Sequence, residues 1–131
     1  DLPWDAPEND RLKITTPAGI GDQSLPVAHT TIRAPVFPGS LWHGDGPPKG
    51  LRDITDERSG TILLADAPAS DSIHWADPTP WMISETNPMR DVFGDRDAVR
   101  VLLADGAVLL LKRADMDNDK LKAMLTIAGG D

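Results

Sequence analysis

The stretch VRVLLADGAVLLLKR, residues 99–113, sets two Val/Leu runs on either side of Asp105-Gly106, and few folds accommodate that pattern. Runs of this kind joined by Asp-Gly are the strongest short-range signature of a β-hairpin. Asp-Gly suits the two-residue type I′ turn, in which both central residues take positive φ. Asp105 and Gly106 therefore read as structural turn residues, not as chemistry. The runs lack polar alternation, which predicts that both faces of the hairpin are covered and that it forms the centre of the core.

Around this hairpin the chain reads as short elements separated by long connections, because 12 Pro and 11 Gly are spread through 131 residues. Residues 1–10, DLPWDAPEND, read as irregular. Residues 11–16, RLKITT, alternate as a short strand, and PAGIGDQ follows as a turn. VAHTTIRA, residues 27–34, is β-branched and bounded by Pro26 and Pro35, as edge strands are. Residues 35–50 form a surface loop.

In residues 51–66, LRDITDERSGTILLAD, a compact turn precedes a buried strand at 61–65. Residues 67–92 read as loop, with IHW a short strand. ADMDNDKLKAMLTIAGG supplies an N-cap at Asp115 or Asp117 and Leu121, Met124 and Leu125 at helical spacing, with Gly129-Gly130 as the stop. The expected fold class is α+β: a single domain, residues 1–131, with an antiparallel sheet, long Pro/Gly-rich loops and a C-terminal helix.

Charge narrows the partners. Thirteen basic against twenty-one acidic residues give a net charge of −8, which repels a phosphate backbone and argues against nucleic acid. The absence of cysteine excludes disulfides and thiolate metal sites.

Four segments in order, PWDAPEN, LRDITDERSGTILLAD, IHWADPTPWMI and the C-terminal stretch from VRVLLADG onward, resemble the large planctomycete family of pilin-like exported proteins of unknown function. The family's DITDGTSNT-like turn falls on residues 53–61, with Glu57 and Gly60 replacing the usual Gly and Asn. The acid that ends the next strand is Asp66, and Trp75 to Pro78 match its Trp-x-x-Pro element. The family's C-terminal motif, His, nine residues, then Asp-Gly, keeps Asp105-Gly106 here but has Asp95 at the histidine position, and its Cys-Pro segment is missing. The resemblance implies the head of a longer exported protein of the cell envelope or exterior. It also implies homotypic assembly and membrane contact through an N-terminal prepilin helix outside this chain.

Several residues invite chemical roles. Asp115, Asp117 and Asp119 match positions 1, 3 and 5 of a calcium loop, yet Lys120 and Thr126 stand where Gly and a bidentate Glu are required. Acids in a helix's first turn explain them equally. His29, His43 and His74 lack metal-ligand spacing, and Ser59 and Ser84 lack nucleophile-elbow glycines. Asp53, Asp56, Glu57 and Asp66 are candidate paired carboxylates, although short acids in turns usually bond their own backbone. Trp4, Trp42, Trp75 and Trp81 all fall in loop-like segments, where Trp either plugs a core or stacks on a ligand.

The leading expectation is thus a non-enzymatic pilin-like domain with a structural or assembly role, without cofactor or metal, and mostly monomeric by itself. The alternative is a carbohydrate- or other ligand-binding module using Trp42, Trp75, Trp81, Asp53, Asp56 and Asp66. A carboxylate-dependent hydrolase ranks last. Because the acid loop is incomplete, calcium at roughly 10⁻³ M, the weakest extracellular range, is expected to leave the melting temperature nearly unchanged. Thermal scans with calcium and with chelator check this, and a clear calcium-dependent rise would restore the site.

Overall fold

The computed structural model describes residues 3–12, 24–26, 28–42, 47 and 49–128, and shows an α+β fold. Strands β1 (His29–Thr30), β2 (Ile32–Arg33) and β3 (Pro35–Val36) come first, then β4 (Ile62–Asp66), β5 (Ile73–His74) and β6 (Trp81–Met82). Helix α1 (Pro88–Phe93), strands β7 (Ala98–Leu103) and β8 (Val108–Lys112), and helix α2 (Asn118–Leu125) complete the order. The main sheet runs β2-β4-β7-β8 with every pairing antiparallel. Two smaller pairs flank it, β1 with β5 antiparallel and β3 with β6 parallel.

The strand expected at residues 61–65 is β4, and it pairs with β7 as the second central strand of the sheet. Its register shifts between Ile62 and Leu64, so Leu63 sits at a bulge outside the regular ladder. The β-branched stretch before Pro35 divides: His29–Thr30 pairs with β5, and Ile32–Arg33 becomes the edge of the main sheet beside β4.

One face of the sheet carries the core. Ile62, Ala65, Val99, Val101, Leu103 and Leu111 are buried there in one cluster with Val92 and Phe93 of α1 and Leu121 and Leu125 of α2. Asp117 caps α2, its carboxylate accepting from Lys120 N at 2.8 Å. The helix stops at Thr126, short of Gly129-Gly130, which lie outside the described residues.

Helix α1 falls in a stretch expected to be loop. Its sequence carries the signals nonetheless: Asn87 caps it by accepting from Arg90 N, Pro88 takes the first turn, and Gly94 ends it at φ +58°. A Cβ on Gly94 would come within 3.3 Å of the Pro68 ring, so both backbone and space call for glycine. The two helices are tied at their N-termini by Met89 N donating to Asn118 Oδ1 at 3.1 Å.

Two arginines complete the C-terminal end of α1, where backbone carbonyls lack intrahelical donors. Arg96 donates to the carbonyls of Val92 (2.7 Å), Phe93 (3.2 Å) and Asp66 (2.7 Å). Arg113 donates to those of Arg96 (3.0 Å) and Gly94, with its guanidinium 5.5 Å over the Phe93 ring. Burial pushes the Arg96 guanidinium below its ordinary pKa, opposed by the nearby Asp66 and Asp71 carboxylates.

Three expectations are corrected. First, the hairpin turn is not type I′. Gly106 has φ +90°, but Asp105 does not have positive φ. Gly106 N donates to Leu103 O at 2.9 Å and Leu103 N to Ala107 O at 2.8 Å, the pattern of a three-residue loop closed by a glycine bulge. Asp105 stays a turn residue, its Oδ1 accepting from Ala107 N at 2.9 Å. Second, the hairpin is not enclosed on both faces: Val108 and Leu110, on the face away from the helices, remain 69% and 50% exposed, and Leu109, on the same face as Leu111, remains 42% exposed because β8 is the outer strand. Third, the N-terminal segment is regular, a 3-10 helix over Pro7–Leu12 that includes two residues of the expected strand at 11–16. Residues 13–16 and the PAGIGDQ turn lie outside the described residues.

A Cβ on Gly106 would meet nothing within 4 Å, so its requirement is purely one of backbone angle. Gly106→Val is expected to lower stability by about 1–3 kcal/mol, and Gly106→Asn by clearly less, since Asn tolerates positive φ. Urea denaturation midpoints of the two variants check this; equal midpoints would remove the turn assignment.

Candidate functional site: a tryptophan-lined groove

Three of the four tryptophans converge. Trp42, Trp75 and Trp81 line a groove of about 350 Å³ beside β2, the end strand of the main sheet among the described residues, together with Thr30, Ile32, Arg33, Val36, Ile73, Asp77 and Thr79. The long connections bring them there: β1–β5 and β3–β6 pairing folds residues 73–82 against residues 28–36. Trp81 is 5% exposed and belongs to the core cluster, so it forms the floor. Trp42 is 46% exposed and stands at the rim, its indole donating to the carbonyl of the bulged Leu63 at 2.8 Å. The bulge thus serves the groove by placing an acceptor where Trp42 can use it.

The groove's polar groups are fixed by backbone contacts. Arg33 Nη1 donates to Asp71 O at 3.0 Å and Nη2 to Thr79 O at 2.8 Å, clamping the 71–79 segment to β2. Burial holds the Arg33 guanidinium below its ordinary pKa, and the neighbouring Asp71 and Asp77 charges pull it back up. Asp77 Oδ1 accepts from Thr79 Oγ1 at 2.6 Å and Thr79 N at 2.9 Å, and these bonds hold its carboxyl below the ordinary value, with Arg33 and His74 adding smaller pulls downward. Among the described residues the groove therefore offers aromatic surface, one carboxylate, one guanidinium and threonine hydroxyls.

The remaining candidates are placed elsewhere. Trp4 packs on His74, ring centroids 5.2 Å apart, and does not line the groove. His29 and His74, forty-five residues apart in sequence, face each other across β1–β5 with centroids at 6.4 Å, a proximity their spacing hides. Among the described residues, no group of three or more His, Cys, Asp or Glu side chains is placed to hold a metal; His43 lies outside them.

None of Asp53, Asp56 and Asp66 lines the groove. Asp53 Oδ2 accepts from Gly50 N at 2.7 Å within a 3-10 turn, Leu51–Asp53, and Asp66 Oδ1 accepts from Thr31 Oγ1 at the end of β4. Asp56 is anchored through its backbone, N to Ile127 O at 3.0 Å, beside the end of α2. Glu57 precedes a second 3-10 turn, Arg58–Gly60, which contains the exposed Ser59. Ser84 accepts from Thr86 N and Asn87 N through Oγ, ordering the approach to α1. Asp115 lies in a 3-10 turn, Arg113–Asp115, and Asp117 is a cap, so the three acids of the incomplete calcium loop serve as helix-entry residues.

Sequence reasoning missed Arg33, Asp77 and Thr79. Asp77-Pro78-Thr79 carries a local signal, an acid two residues before a hydroxyl, which is the pattern of a side-chain-closed turn. An arginine within a β-branched stretch between two prolines was the other available signal. Comparison with known proteins adds no relative: no family model, no curated protein and no solved structure matches the chain.

Proposed function

We propose that this chain is a non-enzymatic saccharide-binding domain, set in an exported pilin-like protein as its sequence resemblance implies. The observation that carries the reading is the convergence of Trp42, Trp75 and Trp81 on one groove with Asp77, Arg33 and Thr79. Indole faces stack on the C–H faces of sugar rings, while charged and hydroxyl groups fix orientation through hydrogen bonds to ring hydroxyls. A clamped arginine and a turn-locked aspartate present those groups at little conformational cost, which favours affinity.

Hydrolysis fits less well. Glycoside cleavage uses two carboxyl groups flanking the bond, and among the described residues Asp77 is the one carboxylate lining the groove. The acids offered by the sequence as candidate paired carboxylates, Asp53, Asp56, Glu57 and Asp66, all lie outside the groove, with the Asp53 and Asp66 carboxylates bonded to Gly50 N and Thr31 Oγ1.

Titration of the chain with a panel of soluble oligosaccharides, read by tryptophan fluorescence and calorimetry, tests the reading. Trp42→Ala and Trp75→Ala are each expected to weaken binding at least about tenfold, equivalent to about 1.4 kcal/mol, while leaving the fold intact. Trp81→Ala is expected to destabilise by about 3–5 kcal/mol because its ring sits in the core. Binding unchanged in both the Trp42 and Trp75 variants, or no saccharide bound at all, would overturn the proposal.

Acid provides a second test. The folded-state pKa of Asp77 is depressed below its ordinary 3.8, so the stability it contributes is fully present above that value and lost as pH falls through the lower, folded-state value. Thermal stability of wild type and Asp77→Asn is therefore expected to differ by a constant amount above about pH 5 and to converge in stronger acid. A difference that vanished already near neutrality would contradict the Asp77–Thr79 geometry.

A further inference from the structure

The exposed edge of β8 is an apolar strand in a chain of net charge −8, and we infer that it pairs antiparallel with β8 of a second copy of this chain. The hydrogen-bond pattern of the hairpin identifies which groups are available. Leu103 N donates to Ala107 O at one end of the β7–β8 ladder and Arg113 N to Asp97 O at the other, both on the register that matches Val101 with Leu109 and Val99 with Leu111. Antiparallel ladders alternate, so residues 107, 109, 111 and 113 turn their backbone groups toward β7, while 108, 110 and 112 turn theirs to the open edge.

That edge is complementary to itself. With Leu110 opposite Leu110 of the second copy, Val108 falls opposite Lys112 and Lys112 opposite Val108. Every outward-facing N–H and C=O of the three residues then has a partner. Within the paired segment no like charges meet: Lys112 and Arg113 fall opposite Val108 and Ala107 of the second copy, and Asp105 falls opposite Asp115 only beyond the strand, where the chain has turned into the Arg113–Asp115 3-10 turn, whereas a parallel arrangement would set Lys112 beside Lys112. Val108 and Leu110 are 69% and 50% exposed, and continue an apolar row on the sheet face away from the helices, through Val108↔Leu102 and Leu102↔Leu64. Unprotected edges of this kind are the ones that recruit a further strand.

Pairing of single strands buries less than the roughly 1,200 Å² of the smallest stable interfaces, so the dimer is reversible. Like net charges oppose it, and salt is expected to strengthen it by screening that repulsion. The monomeric state expected from sequence rested on the net charge, on assembly through an N-terminal helix and on a hairpin enclosed by its own core, and of these the last fails, since β8 is not enclosed.

Sedimentation of the whole chain from about 10 μM to about 1 mM is expected to show mass rising from one copy toward two. Leu110→Lys, which sets two ammonium groups opposite each other, is expected to weaken association at least about tenfold with unchanged melting temperature, because the side chain is half exposed. The lack of native cysteine permits a register test. Leu110→Cys is expected to form a disulfide-linked dimer on oxidation, and Val108→Cys to link to Lys112→Cys when the two are mixed but to neither itself alone. A chain monomeric at the highest concentration, a dimer indifferent to Leu110→Lys, cross-linking in another register, or an edge that takes up an unrelated extended peptide in preference to its own copy would each overturn the inference.

Discussion

Two short helices can cover only one face of a four-stranded sheet, and that constraint shapes the molecule. Helix α1 has six residues and α2 eight, lengths of about 9 and 12 Å, while the sheet carries Val and Leu on both faces of β7 and β8. The side bearing Val99, Val101, Leu103 and Leu111 is closed by Phe93, Val92, Leu121 and Leu125. The side bearing Leu64, Leu102, Val108 and Leu110 is left half-buried to exposed. Arg96 and Arg113 make the small cover effective, since they satisfy carbonyls at the end of α1 and let Phe93 sit fully buried beneath a guanidinium. Hydrophobic residues of the outer face therefore report on geometry, not on a miscount of core positions.

The groove arises where the main sheet ends on its other side. β2 is only two residues long, and the chain on either side of it leaves the sheet to pair with β5 and β6. A strand that short leaves an edge to be managed, and Arg33 manages it by bonding two carbonyls of the 71–79 segment instead of a neighbouring strand. The same act draws Trp75, Asp77 and Thr79 toward Trp42 and Trp81. Rigidity of the polar groups and convergence of the aromatics thus have one cause, the anchoring of a proline-rich connection by an arginine.

The legible parts of this fold were those with local causes. The β7–β8 hairpin, the β4 strand, the Ile73–His74 pair and the cap of α2 each follow from a few adjacent residues, and each stands where periodicity and turn composition put it. Helix α1 carried Asn87-Pro88 and Gly94 as signals but is too short for periodicity to show. Coverage of β8 was misread because VLLLK has the same pattern whether a strand is central or outermost; position in a sheet is a property of the whole chain. The groove was half legible. Loop tryptophans announced aromatic surface, yet their partners Arg33 and Asp77 are joined only by pairing between residues some forty positions apart, and no local pattern encodes that.

The strand order β2-β4-β7-β8 puts the groove beside β2 and the apolar edge at β8, with two strands between them. A ligand in the groove and a second copy on β8 would not compete for surface. A two-fold axis through Leu110 would leave both grooves open at the far ends of an extended eight-stranded sheet, so each copy adds one binding site without shielding another. Weak sites on a polymeric saccharide gain from such pairing, because the second contact forms at the effective concentration set by the span between grooves. The sheet that the helices cover on one face alone thus keeps its two edges apart, the groove beside one and the apolar strand β8 at the other.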